Sequence, residues 1–163
     1  MIERSLKPLA NRSFFLFGPR QTGKSTFVRQ MLAPEDLLIN LLPQRTFLAY
    51  SKNPTVFRQE VLSHRQRYPR AKCIVDEIQK IPSLLDEVHD LIESHGIQFV
   101  LTGSSARKLK RGAANLLAGR ANTYHLFGLT YEELGSLFDL EKVLLYGTLP
   151  YLWAQALELQ EKE

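Results

Sequence analysis

The chain reads Gly18-Pro19-Arg20-Gln21-Thr22-Gly23-Lys24-Ser25, followed by Thr26, directly after the apolar run Phe14-Phe15-Leu16-Phe17. This pattern, GxxxxGK(S/T) between a predicted strand and a predicted helix, is typical of a loop whose main-chain N–H groups surround phosphate. The lysine would bring charge to the outer phosphates and the serine hydroxyl would bind Mg²⁺. The alternative, a Gly-rich turn without a ligand, leaves the Lys-Ser pair unexplained. We therefore expect residues 18–26 to bind the phosphates of a nucleotide.

Charge is unevenly distributed along the 163 residues, whose formal net charge is +4. Residues 1–72 hold 13 Lys or Arg against 4 Asp or Glu, whereas residues 73–163 hold 8 against 13. The densest basic stretch contains Arg65, Arg67, Arg70 and Lys72. It is open to two interpretations, a nucleic-acid-binding patch or a solvated loop before a strand. Nucleic acid is thus one partner to consider.

Length and composition favour one globular domain in the cytoplasm. No apolar stretch approaches the roughly 20 residues that span a bilayer, and the first residues lack the apolar segment of a secretory signal. The single cysteine, Cys73, falls in an apolar run, where we expect it to act as a small buried hydrophobic residue. We therefore expect a cytoplasmic location and no membrane partner.

Short apolar runs alternate with helical patterns, which predicts an α/β fold with a parallel sheet and right-handed crossovers. The predicted strands are Ser13–Phe17, Leu37–Leu42, Lys72–Val75, Gln98–Thr102 and Thr123–Phe127. The predicted helices are Lys24–Leu32, Gln44–Ser51, Thr55–Arg67 and Ser83–His95. Such sheets bind ligands beyond the carboxyl ends of their strands. Farther on, Thr130-Tyr131-Glu132-Glu133 predicts a capping box that opens another helix.

Two carboxylates, Asp76 and Glu77, end the apolar run Ile74-Val75. At the carboxyl end of a parallel strand, an aspartate can hold Mg²⁺ opposite the hydroxyl of Ser25. The adjacent glutamate could orient and polarise an attacking water. The alternative is a polar strand end that caps the next loop. Together with the glycine-rich loop, the pair indicates an ATP hydrolase.

Small polar side chains lie at the end of the fourth predicted strand, in Thr102-Gly103-Ser104-Ser105. Ser104 or Ser105 could contact the γ-phosphate or the attacking water, and Ser104 is our candidate sensor. Ser105 is suited to be a helix N-cap, which is the alternative use of this segment.

Four segments together resemble one branch of the AAA-type P-loop ATPases. They read FGPRQTGKST, CIVDEIQKIPSLLDEVHDLI, FVLTGSSARKL and LLAGRANTYHLFGLTYEEL. Members of this branch are prokaryotic proteins described as ATP-binding proteins or ATPases, and they carry a C-terminal domain of unknown function. The resemblance covers residues 1–150. It implies a three-layer αβα fold whose five-stranded parallel sheet has the order 5-1-4-3-2.

The resemblance also assigns roles to residues. It implies that Gly18–Ser25, with Thr26, is the Walker A motif, that Asp76 and Glu77 form Walker B, and that Ser104 is a sensor. Arg120 matches the family's Gly-Arg and is the candidate arginine finger or sensor, in cis or across a subunit boundary. The alternative is an arginine that forms a salt bridge just before the fifth strand. Residues 151–163 would begin the C-terminal region that normally specifies the partner. There, Tyr151, Leu152, Trp153 and Leu157 would lack a packing partner or would cover the sheet edge.

Three functions remain open on the sequence. The first is Mg²⁺-dependent ATP hydrolysis coupled to a DNA-linked or regulatory process, with homo-oligomerisation as an option. The second is a nucleotide-gated interaction module with little turnover. The third is a small-molecule kinase whose lid would be the basic cluster Arg107-Lys108-Leu109-Lys110-Arg111. No adenine pocket is evident, and we take Ile2–Leu9 as its candidate segment.

Overall fold

The computed structural model of the chain describes residues 2–104, 117 and 119–153. Five strands form one sheet, with the order β2-β3-β4-β1-β5 and every neighbouring pair parallel. The strands are β1 (Ser13–Phe17), β2 (Leu37–Asn40), β3 (Cys73–Asp76), β4 (Phe99–Gly103) and β5 (Ala121–His125). The helices are α1 (Lys24–Gln30), α2 (Gln44–Lys52), α3 (Pro54–Arg67), α4 (Leu84–His95), α5 (Tyr131–Leu134) and α6 (Leu140–Tyr146). The predicted sheet and its order are confirmed.

Strand β1 lies between β4 and β5, so the loop that follows it is central to the carboxyl edge of the sheet. Phe14 is level with Val100 of β4 and with Asn122 of β5. All five residues of β1 are buried. A parallel strand covered on both faces needs such a continuous apolar run, which is why this segment was predictable.

Alternate residues of the strands pack into two cores, one on each face of the sheet. Phe14 and Leu16 pack with Phe27 and Val28 of α1. The opposite face holds Phe15 and Phe17 with side chains of α2, α3 and α4. Cys73 is buried in that second core as predicted, and burial raises the pKa of its thiol. The result is the expected three-layer αβα arrangement.

Strand β5 begins two residues earlier than predicted, because Ala121 and Asn122 already pair with Ser13 and Phe14. As an edge strand it is only half covered, so it carries polar residues that an apolar run does not reveal. Strand β2 is shorter than predicted, ending at Asn40, whose side-chain Oδ1 accepts a 2.9 Å hydrogen bond from the N–H of Leu42.

Side-chain caps fix helix starts where the sequence indicated them. The Asn53 side chain accepts a hydrogen bond from the N–H of Thr55, and Pro54 occupies the first helical position of α3. The predicted capping box at Thr130 is present in both directions with Glu133. The helix it opens, α5, has one turn and passes into a 3₁₀ turn at Gly135–Leu137.

Residues after α6 contribute one buried aromatic side chain. Trp153 packs with Leu129 and Leu134, so it has a packing partner, whereas Tyr151 and Leu152 are exposed. Leu157 lies outside the described residues, as do Ser105 and the basic cluster 107–111. Across residues 2–104, 117 and 119–153, no helix has both the length and the hydrophobicity needed to cross a bilayer.

Candidate functional site

The loop between β1 and α1 turns through two residues with positive φ, Gln21 at 67° and Gly23 at 86°. Gly23 is the N-cap of α1. Residues that have a side chain rarely adopt such a φ, so glycine is favoured where the loop enters the helix. The arrangement presents the first N–H groups of α1 toward the carboxyl edge of the sheet, as a phosphate site requires.

Lys24 lies folded over this loop. Its Nζ donates hydrogen bonds to the carbonyl oxygens of Gly18, at 2.8 Å, and Pro19, at 2.6 Å. Burial lowers the pKa of the Lys24 ammonium, while the carboxylates of Glu77 and Asp76 act in the opposite direction. A partly desolvated cation attracts an anionic ligand strongly, because low dielectric strengthens the attraction. Thr22 closes the loop, with its hydroxyl bonded to the Pro19 carbonyl at 3.0 Å.

The hydroxyl of Ser25 donates a 3.2 Å hydrogen bond to Oδ2 of Asp76. The other carboxylate oxygen, Oδ1, accepts a hydrogen bond from the Thr102 hydroxyl at the end of β4. Thr102 is buried, and its Oγ1 also accepts the N–H of Glu77 at 3.3 Å. A hydroxyl and a carboxylate are the hard oxygen ligands that Mg²⁺ prefers, so this pair fits the ion.

The backbone of Glu77 is left-handed, with φ 63°, and it directly precedes the 3₁₀ turn Ile78–Lys80. A non-glycine residue in this region is strained, and such strain is concentrated at functional sites. Its carboxylate accepts a hydrogen bond from Nε2 of Gln79. The same Nε2 lies 3.2 Å from Oγ of Ser104. The structure thus connects two predicted site residues through a third that the sequence did not single out.

A cleft of about 740 Å³ adjoins the loop. Its walls come from the N-terminal segment, the start of α1 and the chain after β5, and include Ile2, Arg4, Lys7, Thr26, Phe27 and Leu129. This volume lies within the usual range of small-molecule and cofactor pockets. Five residues of the candidate segment Ile2–Leu9 line the cleft.

Arg4 joins the cleft to the loop between β1 and α1. Its guanidinium donates to the Thr22 carbonyl at 2.8 Å and to the Phe127 carbonyl at 2.9 Å. It also forms a 3.0 Å ion pair with Glu133, whose side chain is 3 % exposed. Although burial alone would raise the pKa of Glu133, hydrogen bonds from Ser5, Thr130 and Arg4 lower it overall. The N-terminal segment and α5 are thereby fixed to the loop by a buried charged pair.

Arg120 lies away from these groups. It precedes the first residue of β5, at the amino edge of the sheet, and its Nε forms an ion pair with Glu93 of α4. One five-residue strand, roughly 16 Å at the usual rise per residue, separates that edge from the phosphate loop. Within one chain the structure therefore does not bring Arg120 to Lys24, and a role across a subunit boundary stays a prediction.

Sequence reasoning did not find Arg4, Thr102 or Gln79. Arg4 is a basic residue in a short segment without a pattern, and its partners are 18 to 129 positions away. Thr102 carried a usable signal. It is the last residue of the fourth predicted strand, and the implied sheet order places that strand next to the strand that Asp76 follows. Gln79 carried none apart from its closeness to Glu77.

Comparison with known proteins identifies the family of this chain. A profile of the AAA domain family matches residues 10–135. An uncharacterized protein of Mycobacterium bovis is 31 % identical over an alignment of 140 residues that covers 83 % of this chain. An uncharacterized protein of Mycobacterium tuberculosis has the same identity and coverage. The chain belongs to the AAA domain family. It spans 29 % of the length of each of these curated relatives.

Proposed function

We propose that this AAA domain binds Mg²⁺-ATP and hydrolyses it to ADP and phosphate. The observation that carries the proposal is the meeting of Lys24, Ser25 and Asp76 at the carboxyl edge of the sheet, with Glu77 next to them. P-loop hydrolases accelerate phosphoryl transfer by positioning and by neutralising charge, and this set supplies both.

Each residue has a role in the proposal. The N–H groups of residues 20–26 bind the phosphate oxygens, and the Lys24 ammonium contacts the outer phosphates. Ser25 and Asp76 would hold Mg²⁺, which supplies charge neutralisation when it is bound. Glu77 accepts a proton from, and orients, the attacking water. Ser104 contacts the γ-phosphate or that water.

The cleft beside the loop is the proposed place of the adenosine. Its lining combines apolar groups, such as Phe27 and Leu129, with the polar groups of Arg4 and Glu132. Thr26 lines this cleft and directly follows Ser25, so a nucleotide with phosphates on the loop would reach it. Within the candidate segment Ile2–Leu9, the proposed adenosine contacts come from the residues that line this cleft.

The test compares the wild-type chain with Glu77→Gln, which keeps the shape of the side chain and removes its basicity. We expect phosphate release from Mg²⁺-ATP without any acceptor, and a fall of about 10²-fold or more in the variant. Glu141→Gln, on the exposed first turn of α6, is the matched control and should keep full turnover.

Three outcomes would redirect the proposal. Equal turnover in wild type and Glu77→Gln would remove the role of Glu77. Tight ATP binding with no turnover by wild type would favour a nucleotide-gated interaction module. Phosphate transfer only in the presence of an added acceptor would favour a small-molecule kinase.

For Arg120 we propose action across a subunit boundary in a homo-oligomer, as an arginine finger would act. Specific activity should then rise with protein concentration, and Arg120→Ala should abolish that rise. Glu93→Gln removes the ion-pair partner without removing the guanidinium and is the control. Concentration-independent activity in all three proteins would end the proposal.

A further inference from the structure

We propose that Gln79 is a positioning residue for hydrolysis, which holds the carboxylate of Glu77 and links it to Ser104. The inference rests on the proposed ATPase function. It starts from the two hydrogen bonds that the side-chain amide nitrogen of Gln79 donates, one to Oε2 of Glu77 and one to Oγ of Ser104, the latter at 3.2 Å.

Glu77 is held at its backbone and at its side chain by different partners. Its N–H donates to the Thr102 hydroxyl, which fixes the left-handed backbone conformation. Its side chain extends toward Gln79, two residues along the 3₁₀ turn. Since one carboxylate oxygen is bound to the amide, the other remains to accept a hydrogen bond from water. The amide thus decides the direction in which the carboxylate points.

The orientation of the amide follows from its partners. A carboxylate only accepts hydrogen bonds, so the NH₂ group and not the carbonyl of Gln79 must face Glu77. Oε1 is then directed toward Gly103 and, among the described residues, is buried without a hydrogen-bond partner. A buried acceptor without a partner is unfavourable, so the two donated bonds are what retain this orientation.

The bond to Ser104 has a consequence for the phosphate. Because Gln79 donates to Oγ, the hydroxyl proton of Ser104 is left to be donated to an anionic oxygen. In the proposed reaction that oxygen belongs to the γ-phosphate. A change in the position of Ser104 on ATP binding would therefore be transmitted through one amide to the residue that orients water.

Gly103 is part of the same arrangement. A Cβ at this position would lie 2.5 Å from Oε1 of Gln79 and 3.3 Å from Cε1 of Phe17. Gly103→Ala would therefore displace the amide without changing Gln79 itself. This provides a second, independent way to disturb the proposed link.

The first experiment measures kcat, KM and Mg²⁺-ATP affinity for Gln79→Ala. We expect kcat to fall about 10-fold to 100-fold, the range of effects from misplaced reacting groups, with affinity unchanged within about twofold. Gln59→Ala, on the exposed surface of α3, is the control and should match wild type. Equal losses in affinity and kcat, or loss of folded structure by circular dichroism, would indicate a structural role and overturn the inference.

The second experiment is a double-mutant cycle with Gly103→Ala. If the clash with Gln79 causes the loss, Gly103→Ala lowers kcat in the wild-type background and has little further effect in Gln79→Ala. Additive losses would contradict the link.

A third measurement needs no turnover. In nucleotide-free protein, the side-chain amide signals of Gln79, assigned by their loss in Gln79→Ala, should shift in Ser104→Ala. Unchanged signals would overturn the link to Ser104. An inactive wild type overturns the ATPase proposal and this inference together, whereas an inactive Glu77→Gln beside a fully active Gln79→Ala overturns this inference alone.

Discussion

Ser25 and Asp76 are 51 positions apart in the chain, yet the serine hydroxyl donates a 3.2 Å hydrogen bond to Oδ2 of the carboxylate. The serine lies at the start of α1, which follows β1, and the aspartate lies at the end of β3. In the sheet, β4 separates β3 from β1. Because parallel strands end at one edge, the fold places this hydroxyl and this carboxylate together before any ligand arrives. That pair is the proposed Mg²⁺ site.

The Ser25–Asp76 pair predicts a specific loss in Asp76→Asn. The amide is a weaker ligand for a hard cation than the carboxylate, so more Mg²⁺ should be needed. We expect turnover at limiting Mg²⁺ to fall at least about tenfold, the equivalent of about 1.4 kcal/mol of lost stabilisation. The measurement is phosphate release against Mg²⁺ concentration at fixed ATP. Asp86→Asn, exposed on α4, is the control, and identical Mg²⁺ dependence in both variants would contradict the assignment.

Thr102 predicts an effect on both stability and turnover. Thr102→Val keeps the shape but removes the hydroxyl that donates to Asp76 and accepts the N–H of Glu77. We expect the free energy of unfolding to fall by about 1–3 kcal/mol, because the N–H of Glu77 loses its partner. Chemical denaturation measures this change. We also expect turnover to fall in Thr102→Val, whereas Thr102→Ser retains the hydroxyl and should keep turnover. If the serine variant behaves like the valine variant, lost packing and not lost hydrogen bonding causes the fall.

The Arg4–Glu133 ion pair predicts a pH dependence of stability. The folded-state pKa of Glu133 is lowered, so its contribution is present at neutral pH, above the unfolded value of about 4.3. It is lost as pH falls from there through the folded pKa, since the unfolded chain binds the proton more tightly. Glu133→Gln should therefore lose less stability than wild type on acidification. Thermal melts between neutral and acidic pH give the comparison.

A companion variant, Arg4→Met, leaves the Glu133 carboxylate without its buried cation. We expect Arg4→Met to lower the free energy of unfolding by about 3 kcal/mol at neutral pH, the lower range for breaking a buried pair.

The control for the pH dependence is Glu141→Gln, which removes an exposed carboxylate and should keep the wild-type response to acid. An acid response of Glu133→Gln equal to wild type would show that this pair does not contribute.

Local sequence signals were sufficient to predict the sheet and the position of the loop between β1 and α1. Buried parallel strands such as β1 and β3 need continuous apolar runs, and the loop before Lys24 needs glycine and a fixed spacing. Each of these signals is contained in a short stretch of consecutive residues, so it can be recognised in the sequence. The edge strand β5 was misplaced by two residues, because half of its surface needs no apolar side chain.

The contacts that complete the site depend on tertiary structure. Arg4 meets Glu133 across 129 positions, and Gln79 meets Ser104 across 25, so no short pattern encodes either pair. Arg120 shows the converse. Its Gly-Arg motif suggested a catalytic role, yet its position before β5 places it at the opposite edge of the sheet from Lys24.

The central claim, that residues 18–26 bind the phosphates of a nucleotide, is tested most directly by calorimetric titration of Mg²⁺-ATP into wild type, Lys24→Ala and Lys52→Ala. Lys52→Ala removes the same charge from the exposed end of α2. We expect binding by wild type and Lys52→Ala, and affinity about 10- to 100-fold weaker in Lys24→Ala, from the loss of a charged hydrogen bond. No heat of binding with folded wild type, or equal affinity in all three proteins, would contradict the account.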